Sequence, residues 1–447
     1  MLAAGAAVAY FAFVKAPGNV SHPNVEFTAP QTTKQAPPTL DWPVYGYDDQ
    51  RTRYLPNAHI RPPLRTLWRF SGSNLIEFQP VLAQHRLFVL ENDGRASALG
   101  ARTGKVKWHR RVGQLAASSP AWAGGRVYMV ANSAGSGGIA SAGAGRVWCM
   151  DAKTGRVVWT TRLRSASESS PLIVGGRVYL GSQSGTVYAL DVAGGHVRWR
   201  YHASGPVKAG IAFSDGRLFF GDYSGEMTSL RASDGHLLWR TETSGRSFSR
   251  SGNFYATSAV AFGRVYAGNT DGFVYSFAAR TGQLAWRHDT GGYVYAAPAV
   301  ATVPGMRPAV FAGSYSGKFL ALDARSGDVL WTHRAGGTIS GAASVIGDVV
   351  YFSTLSKRTT TGLDARTGKA VWTFSRGAFN PAISDSRRLF ITGYSSLYAF
   401  QPRSAAASAA CRAPRRAHAK CARRARAKPA GSSRSARGSR RRAKRSH

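Results

Sequence analysis

The fold of this chain is decided by the stretch ALDVAGGHVRW at residues 189–199, whose pattern recurs with the same spacing at residues 321–331. In both copies a small residue begins the stretch, a glycine stands four residues before its end, and a tryptophan closes it. Glycine permits the tight turn that joins two strands, and a small residue leaves room for an indole ring to lie flat. The stretch therefore predicts a repeated strand–turn–strand unit with a docked tryptophan.

This pattern is repeated along most of the chain. The repeat tryptophans are Trp68, Trp108, Trp159, Trp199, Trp239, Trp286, Trp331 and Trp372, separated by 40, 51, 40, 40, 47, 45 and 41 residues. A period near 40 with four short strand signals, as in residues 170–199, is typical of a β-propeller blade. We therefore predict an all-β, eight-bladed β-propeller of four-stranded antiparallel blades. Cys149, ten residues before Trp159, is predicted to be a packing residue.

The two ends of the repeat region complete one another. The last unit, residues 381–400, stops before a tryptophan, whereas residues 64–70 supply an outer strand without inner strands. Pairing the two would complete an eighth blade and remove exposed sheet edges. We therefore predict a propeller over residues 44–402 whose N-terminal strand closes the last blade. The longer gaps between repeats are predicted to be surface loops at residues 131–145, 244–253 and 304–308.

The first 43 residues differ from the repeats. Residues 1–14 contain the uncharged apolar run Leu2–Val14, which is shorter than the roughly 20 residues of a membrane-spanning helix. We predict a signal anchor or signal peptide with a clipped start; the apolar N-terminus of a cytosolic protein is the alternative. Residues 15–43 are rich in proline and polar residues, which predicts a semi-extended linker. Together these segments predict an extracytoplasmic protein of the bacterial cell envelope, either membrane-anchored or secreted.

The formal net charge of +37 is unevenly distributed. Residues 403–447 contain 16 Lys and Arg and no acidic residue, which leaves +21 on residues 1–402. Because this tail has no Phe, Trp or Tyr, it cannot form a core and is predicted to be disordered. Its charge favours an anionic polymer or lipid, while nucleic acid is disfavoured because the tail has no Phe, Trp or Tyr for base stacking. An unselected extension is the alternative. Cys411 and Cys421 could form a disulfide in an oxidising compartment.

The repeat ending resembles the tryptophan-docking repeat of the pyrroloquinoline-quinone (PQQ) propellers. Residues 42–54, WPVYGYDDQRTRY, resemble the segment that precedes the first blade in that family, and the resemblance covers residues 41–402. The family contains dehydrogenases that bind PQQ and Ca²⁺ in the funnel, and cofactor-free relatives such as the scaffold lipoprotein of the outer-membrane β-barrel assembly machine. The dehydrogenases carry an adjacent Cys-Cys pair with Asp, Glu and Asn at the cofactor. This sequence has no Cys-Cys pair and only 22 acidic residues.

The resemblance therefore implies a non-catalytic binding or scaffold protein without a cofactor or a metal ion. We expect a monomer that recognises a protein or an anionic envelope polymer, and that reaches the membrane through its N-terminal segment. A PQQ-dependent oxidoreductase with PQQ and Ca²⁺ is one alternative, and binding of nucleic acid or acidic polymer through the tail is another. No phosphate-binding loop, metalloprotease motif or nucleophile elbow supports a different enzyme class.

The resemblance also indicates where a site would lie, because the residues just before each inner strand line the funnel of such a propeller. The candidate funnel-lining residues are Glu77, Gln79, Glu168, Lys208, Tyr255, Tyr295 and Asn380. These side chains could hold a polar ligand or a peptide; a water-filled polar channel is the alternative. Turn residues predicted to be exposed in the manner of a protein interface are Asp222, Tyr223, Asn269, Thr270, Asp271, Ser314 and Tyr315.

Overall fold

The structure is a computed structural model of the chain, and it describes residues 18–30, 41–135, 138–245, 252–380 and 382–403. The side chains of residues 134–142 lie outside this description. The described residues form thirty-four β-strands and no helix. None of them therefore belongs to a helix that is long and apolar enough to cross a bilayer.

The strands build eight antiparallel blades. Three strands precede the first complete blade: β1 (Val20–Ser21), β2 (Tyr54–Leu55) and β3 (Leu64–Ser71). Blades 1 and 2 consist of β4 (Val81–Ala83), β5 (Arg86–Leu90), β6 (Arg95–Gly100), β7 (Val106–Arg111), β8 (Ala121–Ala123), β9 (Arg126–Gly135), β10 (Gly138–Asp151) and β11 (Val157–Arg162). Blades 3 and 4 consist of β12 (Leu172–Val174), β13 (Arg177–Leu180), β14 (Thr186–Asp191), β15 (Val197–His202), β16 (Ala212–Ser214), β17 (Arg217–Gly221), β18 (Glu226–Arg231) and β19 (Leu237–Glu242).

The second half of the ring follows the same plan. Blades 5 and 6 consist of β20 (Ala259–Ala261), β21 (Arg264–Gly268), β22 (Phe273–Ala278), β23 (Leu284–Asp289), β24 (Ala299–Ala301), β25 (Ala309–Gly313), β26 (Lys318–Asp323) and β27 (Val329–Arg334). Blade 7 consists of β28 (Ser344–Ile346), β29 (Val349–Thr354), β30 (Thr359–Asp364) and β31 (Ala370–Phe374), and blade 8 of β32 (Ile383–Ser384), β33 (Leu389–Gly393), β34 (Ser396–Pro402) and β3. The predicted eight-bladed propeller is confirmed.

The closure of the ring is also as predicted. Strand β3 pairs antiparallel with β34, from Leu64 opposite Pro402 to Ser71 opposite Ser396. The N-terminal outer strand and the last three strands of the chain thus share one blade. Because this pairing joins the two ends of the repeat region, no blade is left with an unpaired inner sheet edge at the junction.

Each outer strand contains a β-bulge beside its tryptophan. In blade 3, Trp199 lies opposite Ala189, while Val197 lies opposite Leu190, so Arg198 has no partner residue across the ladder. The same register shift occurs in all eight blades. The small residue of the sequence repeat is therefore the cross-strand neighbour of its own tryptophan. Buried Cys149, opposite Trp159, occupies such a position in blade 2.

The tryptophans dock onto the following blade. Seven indole N–H groups donate to a turn carbonyl there: Trp68 to Ala101, Trp108 to Ala152, Trp159 to Val192, Trp199 to Ala232, Trp239 to Ala279, Trp286 to Ala324 and Trp331 to Ala365. Trp372 differs because the corresponding turn of blade 8 is replaced by the two chain segments that close the ring. Its ring stacks on Phe374 instead, with centroids 5.9 Å apart.

A segment before the first blade closes one end of the central channel. We call residues 41–55 the plug. Its backbone carbonyls accept hydrogen bonds from the backbone N–H groups of the innermost strands of six blades. The donor and acceptor residues are Leu82 to Trp42, Trp122 to Pro43, Phe213 to Asp49, Val260 to Gln50, Val300 to Thr52 and Val345 to Arg53. At its end, β2 pairs in parallel with β28 of blade 7. The plug therefore crosses from one side of the ring to the other.

The predicted linker over residues 15–43 is wrong for the part that the structure describes. Residues 18–30, which we call the arm, lie against blade 5, and β1 pairs antiparallel with its outer strand β23. Phe27 packs against Phe262 with ring centroids 5.6 Å apart, and Arg264 donates to the Glu26 carbonyl at 2.8 Å. The few apolar residues among the prolines, together with unpaired backbone carbonyls, are sufficient to bind this segment to the propeller.

The loop predictions have different outcomes. Residues 131–145 are not a loop in the described part, because β9 and β10 extend into a longer hairpin in which Asn132 pairs with Gly145. Extra residues on both sides of a turn can continue the ladder of hydrogen bonds. Residues 304–308 form a turn between β24 and β25, as predicted. The predicted anchor at residues 1–14, most of the loop at 244–253 and the tail after Arg403 lie outside the described residues.

Candidate functional site

Six of the seven candidate funnel residues line one cavity in the central channel, beside the plug. They are Glu77, Glu168, Lys208, Tyr255, Tyr295 and Asn380. The cavity volume is about 80 Å³, which is small beside the roughly 300–1,000 Å³ of pockets that enclose drug-sized ligands. These residues come from six different inter-blade loops, so each is positioned by the two blades that its loop connects.

Gln79 is the candidate that the structure separates from the others. Its side chain is buried and its Oε1 accepts a hydrogen bond from the Gly46 backbone at 3.4 Å. It therefore supports the plug and does not line the cavity. Gln79 lies two residues after Glu77 and two residues before β4, and its side chain turns towards the plug. The repeat alignment could not reveal this because the plug is not part of any repeat.

The two carboxylates of the cavity are engaged by neighbouring side chains. Glu168 Oε1 lies 2.9 Å from Lys208 Nζ and 2.6 Å from Gln183 Nε2. Glu77 Oε2 accepts a hydrogen bond from Asn92 Nδ2 at 2.8 Å, and the Asn380 amide donates to the Glu77 carbonyl. Both carboxylates are thus held in place as hydrogen-bond acceptors, and Glu168 also forms an ion pair with Lys208.

Tyrosines form the wall of the cavity beside this ion pair. The Tyr255 ring lies 5.5 Å from the Tyr295 ring and 6.2 Å from the Tyr223 ring. The Lys208 ammonium lies 5.0 Å from the centre of the Tyr223 ring, a cation–π distance. Burial, reinforced by the nearby Glu168 charge, raises the pKa of Tyr255 well above its usual value. The phenol therefore stays protonated and can donate a hydrogen bond at any physiological pH.

Two buried arginines lie in the plug, close to Tyr45, which contributes to the cavity lining. The Arg53 guanidinium lies 5.0 Å from the centre of the Tyr45 ring. Arg51 donates to the carbonyls of Ile211 and Pro171 at 2.9 and 3.2 Å. Burial lowers the pKa of Arg51 to about 10, so it remains charged at neutral pH. The sequence analysis missed both residues; the signal for them is the Arg-Thr-Arg sequence within the segment that resembles the family.

Some turn residues predicted to be exposed are buried. Asp222, Asn269 and Ser314 have no exposed surface and Asp271 has 9%. Asp222 Oδ1 accepts hydrogen bonds from the backbone N–H groups of Ser224 and Glu226 at 3.0 and 3.1 Å, which explains why a carboxylate stands at this turn. The prediction was wrong for these residues because their side chains fold back onto the turn itself. Tyr315 is exposed, as predicted, at 38%.

The residues of the cavity do not match the ligand set that a calcium-bound quinone requires. Ca²⁺ takes six or more oxygen ligands, and the Lys208 ammonium already occupies the cation position beside Glu168. Across the described ranges, no three His, Cys, Asp or Glu side chains are grouped so that they could share a metal ion. The arrangement instead offers hydrogen-bond donors, acceptors and aromatic rings to a partner.

The sequence match decides the family. The family described as outer membrane protein assembly factor BamB matches residues 64–207, 183–305 and 270–430, which together span most of the chain. The chain belongs to this family. The PQQ-type repeat inferred from the tryptophan spacing is thereby confirmed. No curated protein sequence matches the chain significantly.

Solved structures support the fold of this BamB-family chain. BamB from Moraxella catarrhalis has a TM-score of 0.62 and 17% identity, covering 76% of this chain and 99% of that one. Quinohemoprotein alcohol dehydrogenase ADHIIG from Pseudomonas putida HK5 has a TM-score of 0.65 and 13% identity, covering 81% and 80%. A europium-containing methanol dehydrogenase has a TM-score of 0.66 and 14% identity, covering 81% and 98%. A BamB protein and two dehydrogenases thus share this architecture.

Proposed function

We propose that this BamB-family propeller is a non-catalytic scaffold of the bacterial cell envelope that binds a protein partner at its funnel mouth. The observation that carries the proposal is that neighbouring side chains hold both cavity carboxylates. Glu168 is paired with Lys208 at 2.9 Å, and Glu77 is held by Asn92. A general base must reach a substrate proton, whereas an ordered set of donors, acceptors and rings suits recognition of a polar surface.

The closed channel supports the same proposal. The plug blocks passage through the ring, so a ligand approaches the funnel from one side. A cavity of about 80 Å³ accommodates one or a few side chains of a partner rather than an enclosed cofactor. The tyrosines around it supply the rigid amphipathic rings that are enriched at protein interfaces.

Site-specific photo-crosslinking in the native cells tests this proposal. A photoreactive amino acid is placed at Tyr295 or Ser340, which line the cavity, and at exposed Thr281, at the other end of blade 5. We expect one discrete protein adduct from the two funnel positions and none from Thr281. Equal labelling at all three positions, or no adduct at the funnel, would contradict the proposal.

A PQQ-dependent oxidoreductase is the second candidate, and the similarity in fold to two dehydrogenases favours testing it. Purified protein is titrated with PQQ and Ca²⁺, and dye reduction is measured with alcohols and sugars. We expect no saturable quinone absorbance, because Lys208 occupies the cation position beside Glu168. Saturable binding together with turnover would replace the scaffold proposal.

The basic tail is the third candidate site, and it remains a sequence-based prediction. Its 16 Lys and Arg predict salt-sensitive binding to an anionic polymer or lipid. Deletion of residues 403–447 should abolish retention on an anionic column at moderate salt. Unchanged retention would show that the +21 on the rest of the chain is sufficient by itself.

A further inference from the structure

Two exposed tyrosines lie beside the funnel cavity, where blades 5 and 6 meet. We call Tyr293 and Tyr315 the tyrosine patch; both rings contact the ring of the cavity residue Tyr295. The Tyr295 and Tyr315 rings lie 4.9 Å apart, and the Tyr293 ring lies 6.2 Å from Tyr295 and 6.3 Å from Tyr315. Tyr293 is 56% exposed and Tyr315 38% exposed. Exposed rings that form a contiguous patch, unlike single exposed rings, mark interaction sites on protein surfaces.

The arm reaches the propeller at the same end of blade 5. The Gly18 carbonyl accepts a hydrogen bond from Arg287 at 3.1 Å, and the Asn19 side chain accepts one from the Asp289 backbone at 2.8 Å. Asp289 is the last residue of β23, and Tyr293 follows it by four residues. The chain therefore arrives beside the tyrosine patch before it runs along blade 5.

The distance from this point to the apolar run is limited by the length of the chain. Val14, the last residue of the run, is four residues before Gly18. Four extended residues span at most about 14 Å. If Leu2–Val14 enters a membrane, the bilayer therefore lies within about 14 Å of the end of blade 5 that carries the tyrosine patch. The linker predicted from the prolines would have allowed any orientation, but the docked arm does not.

The charges near the patch favour a lipid surface over an apolar protein surface. Lys318, three residues after Tyr315, lies opposite Arg334 in the ladder of blade 6, and Arg287 lies on β23 beside the arm. Asp289, two residues after Arg287 on β23, is the carboxylate nearest to Arg287 in the sequence. Tyrosines combined with lysine and arginine are typical of protein surfaces at the headgroup level of a bilayer.

We propose that the tyrosine patch is a membrane-interface contact: it rests among the headgroups of the bilayer that the apolar run enters, with blades 5 and 6 towards the lipid. The occupant of the patch is a bilayer containing anionic lipid. This contact goes beyond the scaffold function and does not depend on it, since a partner at the funnel and a bilayer at the patch are bound by different side chains.

A fluorescent label tests the contact in the full-length protein. Cys411→Ser and Cys421→Ser leave only buried Cys149, and an environment-sensitive nitrobenzoxadiazole label is attached through Tyr293→Cys. The matched control is Tyr394→Cys, since Tyr394 is 45% exposed and lies in blade 8, away from the arm. Vesicles of phosphatidylcholine with phosphatidylglycerol are added, with and without a spin-labelled lipid that quenches fluorescence at the headgroup level.

The two label positions should respond differently. We expect emission at position 293 to rise roughly twofold or more on entering the interface and to be quenched by the spin-labelled lipid, while position 394 stays unchanged. An equal response at both positions, or vesicle binding without a response at 293, would overturn the proposal. A photo-crosslinker at Tyr293 that captures a single protein in cells, with no vesicle response, would assign the patch to a protein partner instead.

Discussion

Each docked repeat tryptophan contacts the next blade through both its N–H group and its ring. In blade 3, the Trp199 indole donates to the Ala232 carbonyl at 3.2 Å, and its ring covers Gly235. A methyl group at Gly235 would come within 2.6 Å of that ring. The glycine is therefore required twice, for its positive φ of 77° and for the close approach of the indole. A single residue thereby couples two neighbouring blades.

Gly235→Ala should separate these two requirements when it is compared with Gly216→Ala. Gly216 has a similar φ of 72°, but a methyl group there would have no neighbour within 4 Å. Both variants carry the cost of the left-handed backbone, and only Gly235→Ala displaces the indole. We expect Gly235→Ala to lose about 1–3 kcal/mol more than Gly216→Ala in the free energy of unfolding, measured by urea denaturation. Equal losses would mean that the indole contact contributes nothing.

Asp48 in the plug makes the stability depend on pH. Burial raises the pKa of its carboxyl from 3.8 to about 6, although Thr52 donates to it through both its backbone and its hydroxyl. The folded state therefore binds a proton more tightly than the unfolded chain. Protonation of Asp48 therefore stabilises the folded state relative to the unfolded chain. This stabilisation is fully present below pH 3.8 and is lost as the pH rises through about 6.

Asp48→Asn should remove this dependence, because the amide does not titrate. Since Asp48 is partly exposed, we expect Asn to gain about 1–2 kcal/mol relative to the wild type between pH 4 and pH 7. Urea denaturation across this range measures the difference. Asp234→Asn, at an exposed turn, is the control and should leave the pH profile between these values unchanged. A constant difference for Asp48→Asn across the range would contradict the raised pKa.

At the scale of the elements, an arginine at the start of the second strand links successive blades. Arg86 donates to the carbonyls of Ala152 and Lys153, and Arg264 donates to the Arg325 carbonyl at 2.6 Å. These acceptors lie in the turns on which the tryptophans dock. Arg264 is distinctive in also binding the arm through the Glu26 carbonyl. The arginine at the start of these strands therefore has a structural role in joining neighbouring blades.

Arg264→Ala should release the arm from blade 5. We expect faster amide hydrogen exchange across residues 20–28, because the arm loses its charged hydrogen-bond donor and the stacking surface of Phe27, which lies 5.2 Å from the guanidinium. Arg177→Ala is the control, since Arg177 begins the same strand in blade 3, which the arm does not pair with. Protection of residues 20–28 that is the same in both variants would contradict this role.

At the scale of the whole molecule, the ring depends on one pairing between its two ends. Strand β3 supplies the outer strand of blade 8 and pairs with β34 over its entire length. Propellers close in this way because an open ring would expose two sheet edges and uncover one face of the terminal blades. The cooperative stability of all eight blades therefore relies on residues 396–402.

Two truncations should test this dependence. A chain that ends at Arg403 retains β34, and we expect its thermal unfolding to match that of the full-length protein. A chain that ends at Ser395 lacks β34, and we expect it to lose the cooperative transition, because β3 and β33 are left without their partner. Circular dichroism during heating measures both. A cooperative transition retained by the shorter chain would show that the ring is stable when open.

The sequence by itself determined the number of blades, the strand that closes the ring and the packing role of Cys149. These features depend on contacts that recur with the repeat, such as Trp199 opposite Ala189 only ten residues away. A contact of fixed spacing leaves a periodic trace in the sequence. For the same reason, six of the seven candidate residues, which stand at equivalent repeat positions, do line a common cavity.

Only the tertiary structure decided how the channel is closed, how the arm is bound and which side chains hold the cavity carboxylates. Arg51 binds the carbonyl of a residue 160 positions away, and Asn380 binds Glu77 across 303 positions. Such pairs occur once, so no spacing in the sequence reports them. Gln79 and Asp222 were misplaced for the same physical reason: a side chain beside a turn can point to the solvent or fold inward, and the available hydrogen-bond partner decides which.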